Sequence, residues 1–371
     1  MNETKHLTIY LPTLVGGGAE RVMLNLAKGF AERGYPVDFV LAQREGAFMQ
    51  DVPDGFRLIE LNPRQYRFGR SIFSLPLLVR YIREQRPDAL LTGLHANIIA
   101  IWAKKLAGVP LRVVICEHNT FSLQNQMLSF GARQLMPWLI RWFYPMADRV
   151  IAVSEGAADD LAVSARMPRE KIQVVNNPII TPEMIARSQE VLDHPWFKPD
   201  QPPVILAVGR LTPQKDYPLL IRAFAQVRQT MPVRLLILGD GEEREKLAAL
   251  VEELGLGEDV SLPGFVHNPY PYMRQAAVFV LSSRWEGLPT VLVEALYCGA
   301  RLVATDCMSG PRQILRGGEY GKLVPVGDED ALARAIRAAI EEPKPCPPSE
   351  SWKPYELDTV VDEYLDVLLR G

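Results

Sequence analysis

The sequence has few of the features that mark secreted, disulfide-bonded or membrane-spanning proteins. Its 371 residues include four cysteines, and no two of them form a Cys-x-x-Cys pair, so neither a disulfide framework nor a zinc site is indicated. No apolar run approaches the roughly 20 residues that a membrane-spanning helix needs. Residues 1–5 lack the charged and then apolar order of a secretion signal. We therefore expect a cytoplasmic protein.

A large excess of charge of one sign is also missing. The formal net charge is −3, and 48% hydrophobic and 23% charged residues are typical of a soluble globular protein. The basic residues are nevertheless concentrated at 61–149, where 12 Lys and Arg stand against 4 Asp and Glu. No nucleic-acid recognition motif accompanies this basic region, so nucleic acid is not an expected partner.

What the sequence does contain is a regular alternation of short apolar runs and segments with helical periodicity. Strands are predicted at 7–11, 37–42, 57–61, 88–92, 112–116, 149–153 and 172–175, and again at 204–208, 234–238, 260–262, 278–281, 301–304 and 322–324. Apolar strands that alternate with helices are typical of parallel sheets covered on both faces. The fold class predicted is therefore α/β, with two doubly wound, Rossmann-like domains.

Proline-rich segments divide this alternation into domains. An N-terminal domain is predicted at 1–183, a linker at 184–203 and a C-terminal domain at 204–351. Residues 352–371 are predicted to form a helix that crosses back onto the first domain. Because ligands bind at the carboxyl ends of parallel strands, the two domains are expected to face each other across an interdomain cleft.

The most informative segment carries two carboxylates, Glu286 and Glu294, eight positions apart. It follows the apolar run 278–281, which is typical of a buried strand, and a helix is predicted to begin near Pro289. Glu286 would then lie on a strand-to-helix loop, where open α/β sheets bind their ligands. The alternative is that both acids only complement a helix dipole.

An anion site is predicted beside these carboxylates. The backbone around Leu288, Pro289 and Thr290 would form a helix N-terminus, which favours an anion such as a diphosphate. Arg210 and Lys215 follow the strand at 204–208, and their spacing can hold two cations around one diphosphate. Carboxylates beside an anion site indicate a ligand with both hydroxyls and phosphates, such as a nucleotide sugar.

The first half of the chain adds two loops of the same kind. Gly16 and Gly17 lie in a glycine turn between a strand and a helix, where a backbone can approach a ligand closely. The turn lacks the third glycine of the dinucleotide fingerprint, because Arg21 stands in its place. His118 directly follows the strand at 112–116 and could orient a hydroxyl or a phosphate.

Taken together, these segments resemble the retaining glycosyltransferases of family four, which have the two-domain B-type (GT-B) fold. The resemblance covers nearly the whole chain and rests on residues 16–21, 117–119, 209–215, 239–241, 264–265 and 286–294. The run at 305–311 is similar to a subset that builds lipid-linked or cell-surface oligosaccharides. For that subset the resemblance implies a UDP-sugar donor, often a UDP-N-acetylhexosamine, and a polyprenyl-diphosphate-linked or other glycan acceptor.

The resemblance implies roles for individual residues. The catalytic residues would be His118, Arg210, Lys215 and Glu286. Those that would bind the donor are Gly16, Gly17, Arg210, Lys215, Val266, Glu286, Leu288, Pro289, Thr290 and Glu294. Arg210 and Lys215 would bind the diphosphate, Glu286 the sugar hydroxyls, Glu294 the ribose and the Val266 backbone the base. His118 would stabilise the reacting sugar or its departing phosphate. Transfer would retain the anomeric configuration, with the departing phosphate oxygen as the base.

No cofactor and no metal are expected on this interpretation. The acidic run at 328–330 has the form Asp-x-Asp that metal-dependent transferases use. It precedes a helical pattern, however, so an N-cap followed by an acidic first turn explains it better.

An acceptor or membrane face is predicted in the basic region. The residues that suggest it are Arg64, Arg67, Arg70, Trp138, Arg141 and Trp142. Basic residues interleaved with aromatic ones suit an anionic membrane or a lipid diphosphate, which would place the protein at the inner face of the membrane. The alternative is a solvated basic face beside a core helix.

Other functions remain open on the sequence alone. A nucleotide-sugar epimerase or a phosphorylase could use the same scaffold without an acceptor alcohol. A non-catalytic carbohydrate-binding protein would not need Arg210, Lys215, Glu286 and Glu294 together. An oxidoreductase is disfavoured because 239–241 lacks the rest of a dinucleotide fingerprint.

Overall fold

Two parallel sheets organise the chain, one in each of two compact units. The computed structural model describes residues 4–15, 17–52, 56–61, 73–126, 130–343 and 347–370. Unit 1 consists of Met1–Pro178 together with Tyr355–Gly371, and unit 2 is Ile179–Pro354.

The strands are short, and those at the centre of each sheet are mostly buried, whereas edge strands such as Arg57–Glu60 are partly exposed. In the described ranges they are β1 (Leu7–Leu11), β2 (Val37–Leu41), β3 (Arg57–Glu60), β4 (Ala89–Gly93), β5 (Arg112–Glu117), β6 (Arg149–Ala152), β7 (Ile172–Val174), β8 (Val204–Val208), β9 (Arg234–Leu238), β10 (Val260–Gly264), β11 (Val278–Leu281), β12 (Leu302–Thr305) and β13 (Lys322–Val324). Their apolar side chains form the centre of a core in each unit. Burial on both faces explains why these strands read as continuous apolar runs rather than as alternating ones.

Helices connect the strands and cover the sheets. Those described are α1 (Gly18–Glu32), α2 (Leu75–Gln85), α3 (Asn97–Ala107), α4 (Phe121–Gln126), α5 (Phe130–Phe143), α6 (Glu155–Ala165), α7 (Pro182–Ser188), α8 (Tyr217–Arg228), α9 (Arg244–Glu253), α10 (Tyr270–Gln275), α11 (Thr290–Tyr297), α12 (Pro311–Ile314), α13 (Glu329–Glu341) and α14 (Leu357–Leu369). Several begin at a capping side chain. Ser154 accepts from Ala157 N at the start of α6, and Thr181 accepts from Met184 N at the start of α7.

Both sheets have the doubly wound order. Neighbouring strands are parallel and follow the order β3-β2-β1-β4-β5-β6-β7 in unit 1 and β10-β9-β8-β11-β12-β13 in unit 2. The strand order reverses between β1 and β4 and again between β8 and β11, and such a switch point opens a crevice at the carboxyl ends of the strands. The predicted fold class, two doubly wound α/β domains, is confirmed.

β10 is two residues longer than predicted. β10 runs to Gly264, although Pro263 interrupts the apolar run after residue 262. β10 lies at the edge of its sheet, and its register with β9 shifts between Ser261 and Gly264. Since proline removes a donor that an edge strand can do without, the strand continues past it.

The segment 184–203, predicted to be a linker, is packed within unit 2. The chain enters this unit at Ile179, a few residues before the predicted boundary, and α7 starts at Pro182. The ring of His194 lies 5.8 Å from that of Tyr272 between centroids, and Arg234 lies 5.0 Å from the Trp196 ring. The prolines here mark irregular backbone, whereas the aromatic side chains between them still bury surface in unit 2.

The C-terminal helix α14 is part of unit 1. It packs on α1, where a Cβ added to Gly29 would lie 2.4 Å from Val361 Cγ2. Tyr364 is completely buried, and its hydroxyl lies 3.3 Å from Cys116 Sγ on β5. The end of the chain therefore completes the core formed by its beginning.

Candidate functional site

An ion pair lies at the switch point of the sheet in unit 2. Lys215 follows β8, and its Nζ donates to Glu286 Oε1 at 2.6 Å. Glu286 follows β11 and is 5% exposed. Because β8 and β11 are neighbours in the sheet, two loops far apart in sequence meet at this point. The structure thus brings together two of the predicted site residues.

Further donors surround the same carboxylate. Ser283 Oγ donates to Glu286 Oε1 at 2.6 Å, and Gln214 Nε2 donates to Oε2 at 3.2 Å. Gln214 Nε2 also donates to Trp285 O at 3.0 Å. A buried carboxylate with a cation and two neutral donors is well satisfied, so its orientation is strongly defined. Neither Ser283 nor Gln214 was predicted individually. The bonds of Gln214 join the loops after two different strands, and the bond of Ser283, although it spans only three residues, depends on the conformation of its loop.

Glycines allow the loops around Lys215 to approach closely. A Cβ on Gly209 would lie 3.1 Å from Lys215 Cε and 3.0 Å from the Tyr217 hydroxyl. A Cβ on Gly239 would lie 1.9 Å from Gly209 O, and one on Gly241 would lie 2.5 Å from Leu211 O. The Gly-Asp-Gly motif at 239–241 is therefore explained by tight packing of the loops after β8 and β9.

The two predicted diphosphate cations have different surroundings. Lys215 is paired with Glu286. Its ammonium group has three N–H donors, so the single hydrogen bond to Glu286 does not use all of them. Arg210 is exposed, and in the described part of the chain its guanidinium has no ion-pair partner. An exposed, unpaired guanidinium can present its fork of N–H groups to an anion.

The predicted helix N-terminus is present. Pro289 is the N-cap residue of α11, which begins at Thr290, and Leu288 and Pro289 are buried. Glu294 is half-buried and lies in the second turn of α11, as the helical periodicity predicted. Main-chain N–H groups of the first turn are directed out of the helix end beside Glu286, where an anion is favoured.

Val266 lies at some distance from these residues. It follows β10, and β9 and β8 separate that edge strand from β11. At a strand spacing of about 4.8 Å this corresponds to roughly 14 Å across the sheet. A ligand that touched both Val266 and Glu286 would have to be extended along the carboxyl ends of the strands.

In unit 1 the predicted glycine turn lies beside a carboxylate. Gly16 is outside the described residues. Gly17 is the N-cap residue of α1, and a Cβ there would lie 2.5 Å from Glu20 Oε2, while Glu20 itself is 6% exposed. The carboxylate adds negative charge at this turn, so a ligand hydroxyl is a better partner at Gly17 than the predicted phosphate. Glu20 belongs to the motif at 16–21, but the sequence did not predict that its carboxylate would lie against Gly17.

His118 follows β5, at the same edge of the sheet in unit 1. Both of its ring nitrogens are buried and have no hydrogen-bond partner among the described residues. Burial lowers the pKa of His118 to about 4. A Cβ on Gly93, at the end of β4, would lie 2.9 Å from His118 Nε2, so the glycine makes room for the ring. A neutral imidazole with unsatisfied nitrogens is suited to donate to and accept from a ligand hydroxyl.

A buried polar network that was not predicted adjoins His118. Glu117 accepts a short hydrogen bond from the Tyr144 hydroxyl and one of 2.9 Å from Asn97 Nδ2. Burial raises the pKa of Glu117 to about 7, although both hydrogen bonds oppose the shift and the charge of Asp160 adds to it. Glu117 was part of a recognised motif, but its partners are on α3 and after α5, where sequence periodicity carries no signal for them.

An apolar face with basic residues is exposed on α5 and α3. Trp138 and Trp142 are 59% and 68% exposed, and Arg141 Cζ lies 5.9 Å from the Trp138 ring. Leu135 on α5 and Trp102 on α3 are 56% and 40% exposed. We call these five residues the tryptophan face. The predicted Arg64, Arg67 and Arg70 lie outside the described residues.

Among the described residues, no helix has both the length and the hydropathy that a membrane-spanning segment needs. The described residues also contain no group of three or more His, Cys, Asp or Glu side chains that could hold a metal ion. At 328–330 the structure shows the predicted N-cap, since Asp328 Oδ1 accepts from Ala331 N at 2.8 Å at the start of α13.

Both halves of the chain match known families. Residues 16–182 match the family described as Glycosyltransferase Family 4, and residues 188–355 match the one described as Glycosyl transferases group 1. The N-acetylgalactosamine-N,N'-diacetylbacillosaminyl-diphospho-undecaprenol 4-alpha-N-acetylgalactosaminyltransferase of Campylobacter jejuni is 30% identical over 344 residues, which are 91% of each chain. The lipopolysaccharide core biosynthesis glycosyltransferase LpsE of Rhizobium meliloti is 28% identical over 328 residues, 88% of this chain and 86% of that protein.

Solved structures share the fold over almost the whole chain. The structure of HepE from Anabaena in complex with UDP and glucose matches with a TM-score of 0.73 and 21% identity, covering 98% of this chain and 95% of that one. The lipopolysaccharide outer core galactosyltransferase WaaB matches with a TM-score of 0.72 and 22% identity, covering 98% of each chain. At these identities the likeness concerns the two-domain architecture.

Proposed function

Because this chain belongs to the glycosyltransferases, with a family 4 domain followed by a group 1 domain in the two-domain B-type fold, we propose that it transfers a sugar from a UDP-sugar. The acceptor is a saccharide linked to a polyprenyl diphosphate, and the transfer retains the anomeric configuration. The name of the Campylobacter relative, which acts on a diphospho-undecaprenol-linked saccharide with N-acetylgalactosamine, makes UDP-N-acetylgalactosamine the first donor to test.

The observation that carries the proposal is the Lys215–Glu286 pair beside the start of α11. A carboxylate held by Lys215, Ser283 and Gln214 is a fixed acceptor for sugar hydroxyls. The helix N-terminus next to it favours a phosphate. An extended ligand with a base near Val266 and a sugar at Glu286 matches the roughly 14 Å spacing across the sheet.

In the proposed reaction, the bond between the anomeric carbon and the diphosphate oxygen breaks. A bond from the acceptor hydroxyl oxygen to that carbon forms on the same face, and the departing phosphate oxygen takes the hydroxyl proton. The largest demand on the protein is then to stabilise negative charge on the leaving group. Arg210 supplies a guanidinium that has no ion-pair partner in the described ranges. The ammonium group of Lys215 has three N–H donors, more than its single hydrogen bond to Glu286 uses.

The tryptophan face suits a protein that works on a lipid-linked acceptor. Its helices α5 and α3 carry the basic residues Arg133, Arg141, Lys104 and Lys105, and no Asp or Glu. Tryptophan and basic side chains favour the interface of an anionic bilayer. We therefore include docking to an anionic membrane surface in the proposed function.

A two-part experiment tests the proposal. Thermal unfolding is measured with UDP, GDP and ADP, since a ligand that binds the folded state raises the unfolding temperature. UDP-N-acetylgalactosamine, UDP-N-acetylglucosamine, UDP-glucose and UDP-galactose are then incubated with and without an undecaprenyl-diphosphate-linked saccharide, and the products are analysed by mass spectrometry and NMR. We expect stabilisation by UDP, and an α-linked product that forms only with the acceptor.

Different products would identify the alternatives. Conversion of the donor alone into another UDP-sugar indicates an epimerase, and sugar phosphate formed with inorganic phosphate indicates a phosphorylase. A β-linked product from an α-linked donor would refute retention. Saccharide binding without turnover of any donor would indicate a carbohydrate-binding protein and would refute the transferase.

A further inference from the structure

The segment that follows β12 packs against the loop that carries Glu286. We call residues 305–311 the support loop. It begins at Thr305, the last residue of β12, and ends at Pro311, the first residue of α12. β12 pairs with β11, so the loops after the two strands leave the sheet side by side. None of the roles implied by the family resemblance falls on residues 305–311.

At its start, the support loop is bonded to the main chain before Glu286. Thr305 is completely buried, and its Oγ1 donates to Ser283 O at 2.6 Å. Ser283 in turn donates through Oγ to Glu286 Oε1 at 2.6 Å. Ser283 therefore accepts a hydrogen bond from the support loop through its carbonyl oxygen and donates one to the Glu286 carboxylate through its hydroxyl.

Near its end, the support loop is bonded to the main chain after Glu286. Ser309 is 3% exposed, and its Oγ donates to Gly287 O at 2.8 Å. Gly310 has φ +92°, and a Cβ there would lie 2.3 Å from Pro289 Cδ and 3.0 Å from Gly287 O. Only a glycine allows this approach, so the backbone of the support loop lies directly against the residues that lead into α11.

The middle of the support loop is also tied to this region. Cys307 is 3% exposed, and its thiol donates to Ser309 O at 3.7 Å. Burial, followed by the negative charge of Glu286, raises the pKa of Cys307 to about 12. The thiol therefore stays protonated at neutral pH and can keep this hydrogen bond.

We propose that Thr305 and Ser309 are positioning residues for Glu286. Their hydroxyls bond the carbonyls of Ser283 and Gly287, on either side of Glu286 in the chain, and thereby fix the direction of its carboxylate. The inference rests on the proposed function, in which Glu286 binds hydroxyls of the donor sugar. Neither hydroxyl is required to touch the ligand, so both act through Glu286.

The physical reason lies in the sensitivity of sugar transfer to geometry. A displacement of about 1 Å at a reacting group can reduce turnover by about a hundredfold. The loop between β11 and α11 is a connection, and it would have more freedom than the elements that it joins. Two buried hydrogen bonds from a neighbouring strand and loop remove that freedom without occupying the carboxylate itself.

The test uses full-length Thr305→Val and Ser309→Ala, each alone and combined with Glu286→Gln. The matched control is Thr230→Val, which removes a hydroxyl that donates to Val227 O at 2.9 Å elsewhere in unit 2. Transfer rates are measured with the UDP-sugar that gives the highest wild-type rate, and UDP binding is measured by calorimetry. Thermal unfolding reports whether each variant is folded.

We expect each single variant to lower kcat about tenfold, while its Kd for UDP, which has no sugar, stays within about twofold of the wild-type value. Because both hydroxyls act through Glu286, adding either substitution to Glu286→Gln should cost less than about twofold. Thr230→Val should keep the wild-type rate.

Three results would overturn the inference. They are losses that multiply in the double variants, UDP binding that weakens as much as turnover falls, and single variants as active as Thr230→Val. If Thr305→Val does not fold, Ser309→Ala decides the question by the same criteria. A wild-type protein that transfers no sugar from any donor would refute the proposed function, whereas normal wild-type transfer with unaffected variants would refute this inference alone.

Discussion

At the scale of single residues, the two carboxylates of the group 1 domain have different surroundings. Glu286 is 5% exposed and is held by Lys215, Ser283 and Gln214. Glu294 is half-buried on α11. In the proposed function, Glu286 binds the transferred sugar and Glu294 the ribose, so their substitutions should separate in kinetics.

We expect Glu286→Gln to lower kcat by about a hundredfold, because a contact that matters most in the transition state is lost. Its Kd for UDP should change little. Glu294→Gln should instead raise KM for the donor and Kd for UDP by similar factors of about ten, since the ribose contact is present throughout the reaction. Steady-state kinetics and UDP calorimetry check both. Loss of UDP binding in Glu286→Gln would contradict these roles.

The carboxyl group of Glu117 should give the protein a characteristic pH dependence. Burial raises the pKa of Glu117 to about 7 in the folded state from 4.5. Its contribution to stability is therefore fully present below pH 4.5 and is lost as the pH rises through 7. Since the side chain in Glu117→Gln cannot ionise, the free energy of unfolding of this variant should not fall over this pH range for the same reason.

The measurement is urea unfolding of wild type and Glu117→Gln at pH 5 and pH 8. The free energy of unfolding of the variant, relative to wild type, should increase between these values by up to about 3 kcal/mol. Burial lowers the pKa of His118 to about 4. The free energy of unfolding therefore also falls as the pH drops from 6.5 towards 4, but this effect is present in both wild type and Glu117→Gln. A difference that is constant with pH would show that Glu117 does not titrate in this range.

At the scale of elements, α5 presents its two tryptophans away from the core while Ile140 on the same helix is completely buried. If the tryptophan face docks to a membrane, Trp138→Ser with Trp142→Ser should reduce flotation with phosphatidylglycerol vesicles by about tenfold or more, because the apolar surface gained from the bilayer is lost. Activity on a short water-soluble acceptor should persist.

Val163→Ser is the matched control, since Val163 is 80% exposed on α6 of the same unit. It should float like wild type. Flotation should also weaken with salt, because basic residues contribute to an attraction that is screened within about 10 Å at 0.1 M. Membrane docking would be refuted if the double variant floated as well as wild type, or if wild type did not float at low salt. The alternative of a solvated basic face would then stand. A change of oligomeric state in the double variant would instead identify the face as a contact between copies.

At the scale of the whole molecule, the end of the chain stabilises its beginning. Arg33, the C-cap residue of α1, forms ion pairs with Asp358 and Asp362 of α14. Tyr364 lies completely buried beside Cys116. Tyr364→Ala should therefore lower the free energy of unfolding of unit 1 by about 3–5 kcal/mol through the cavity that it leaves.

Tyr364→Phe keeps the ring and should cost about 1 kcal/mol for the lost hydrogen bond. The surface variant Asp366→Ala, on the same helix, should cost less than about 0.5 kcal/mol. Urea unfolding followed by hydrogen exchange of β4 and β5 measures these differences. Equal stability of Tyr364→Ala and Asp366→Ala would show that α14 is not required by the core of unit 1.

The sequence by itself determined the elements, the fold class and the family. Buried strands must be apolar, their helices must be amphipathic, and glycine or proline must stand where the backbone turns, so this information is local and readable. The loop at 209–215 and the loop-to-helix segment at 286–294 could be recognised for the same reason, because ligand-binding loops directly follow strands in this fold. Even the N-cap at Asp328 follows from a few neighbouring residues.

Only the tertiary structure decided which side chains meet. Lys215 reaches Glu286 because β8 and β11 are neighbours, and Tyr144 reaches Glu117 because the end of α5 returns to β5. The packing of 184–203 within unit 2, in place of a free linker, likewise depends on rings brought together from distant positions. Strand order is set by the burial of whole surfaces, which sums over many residues, and no short pattern in the sequence records the pairs that result.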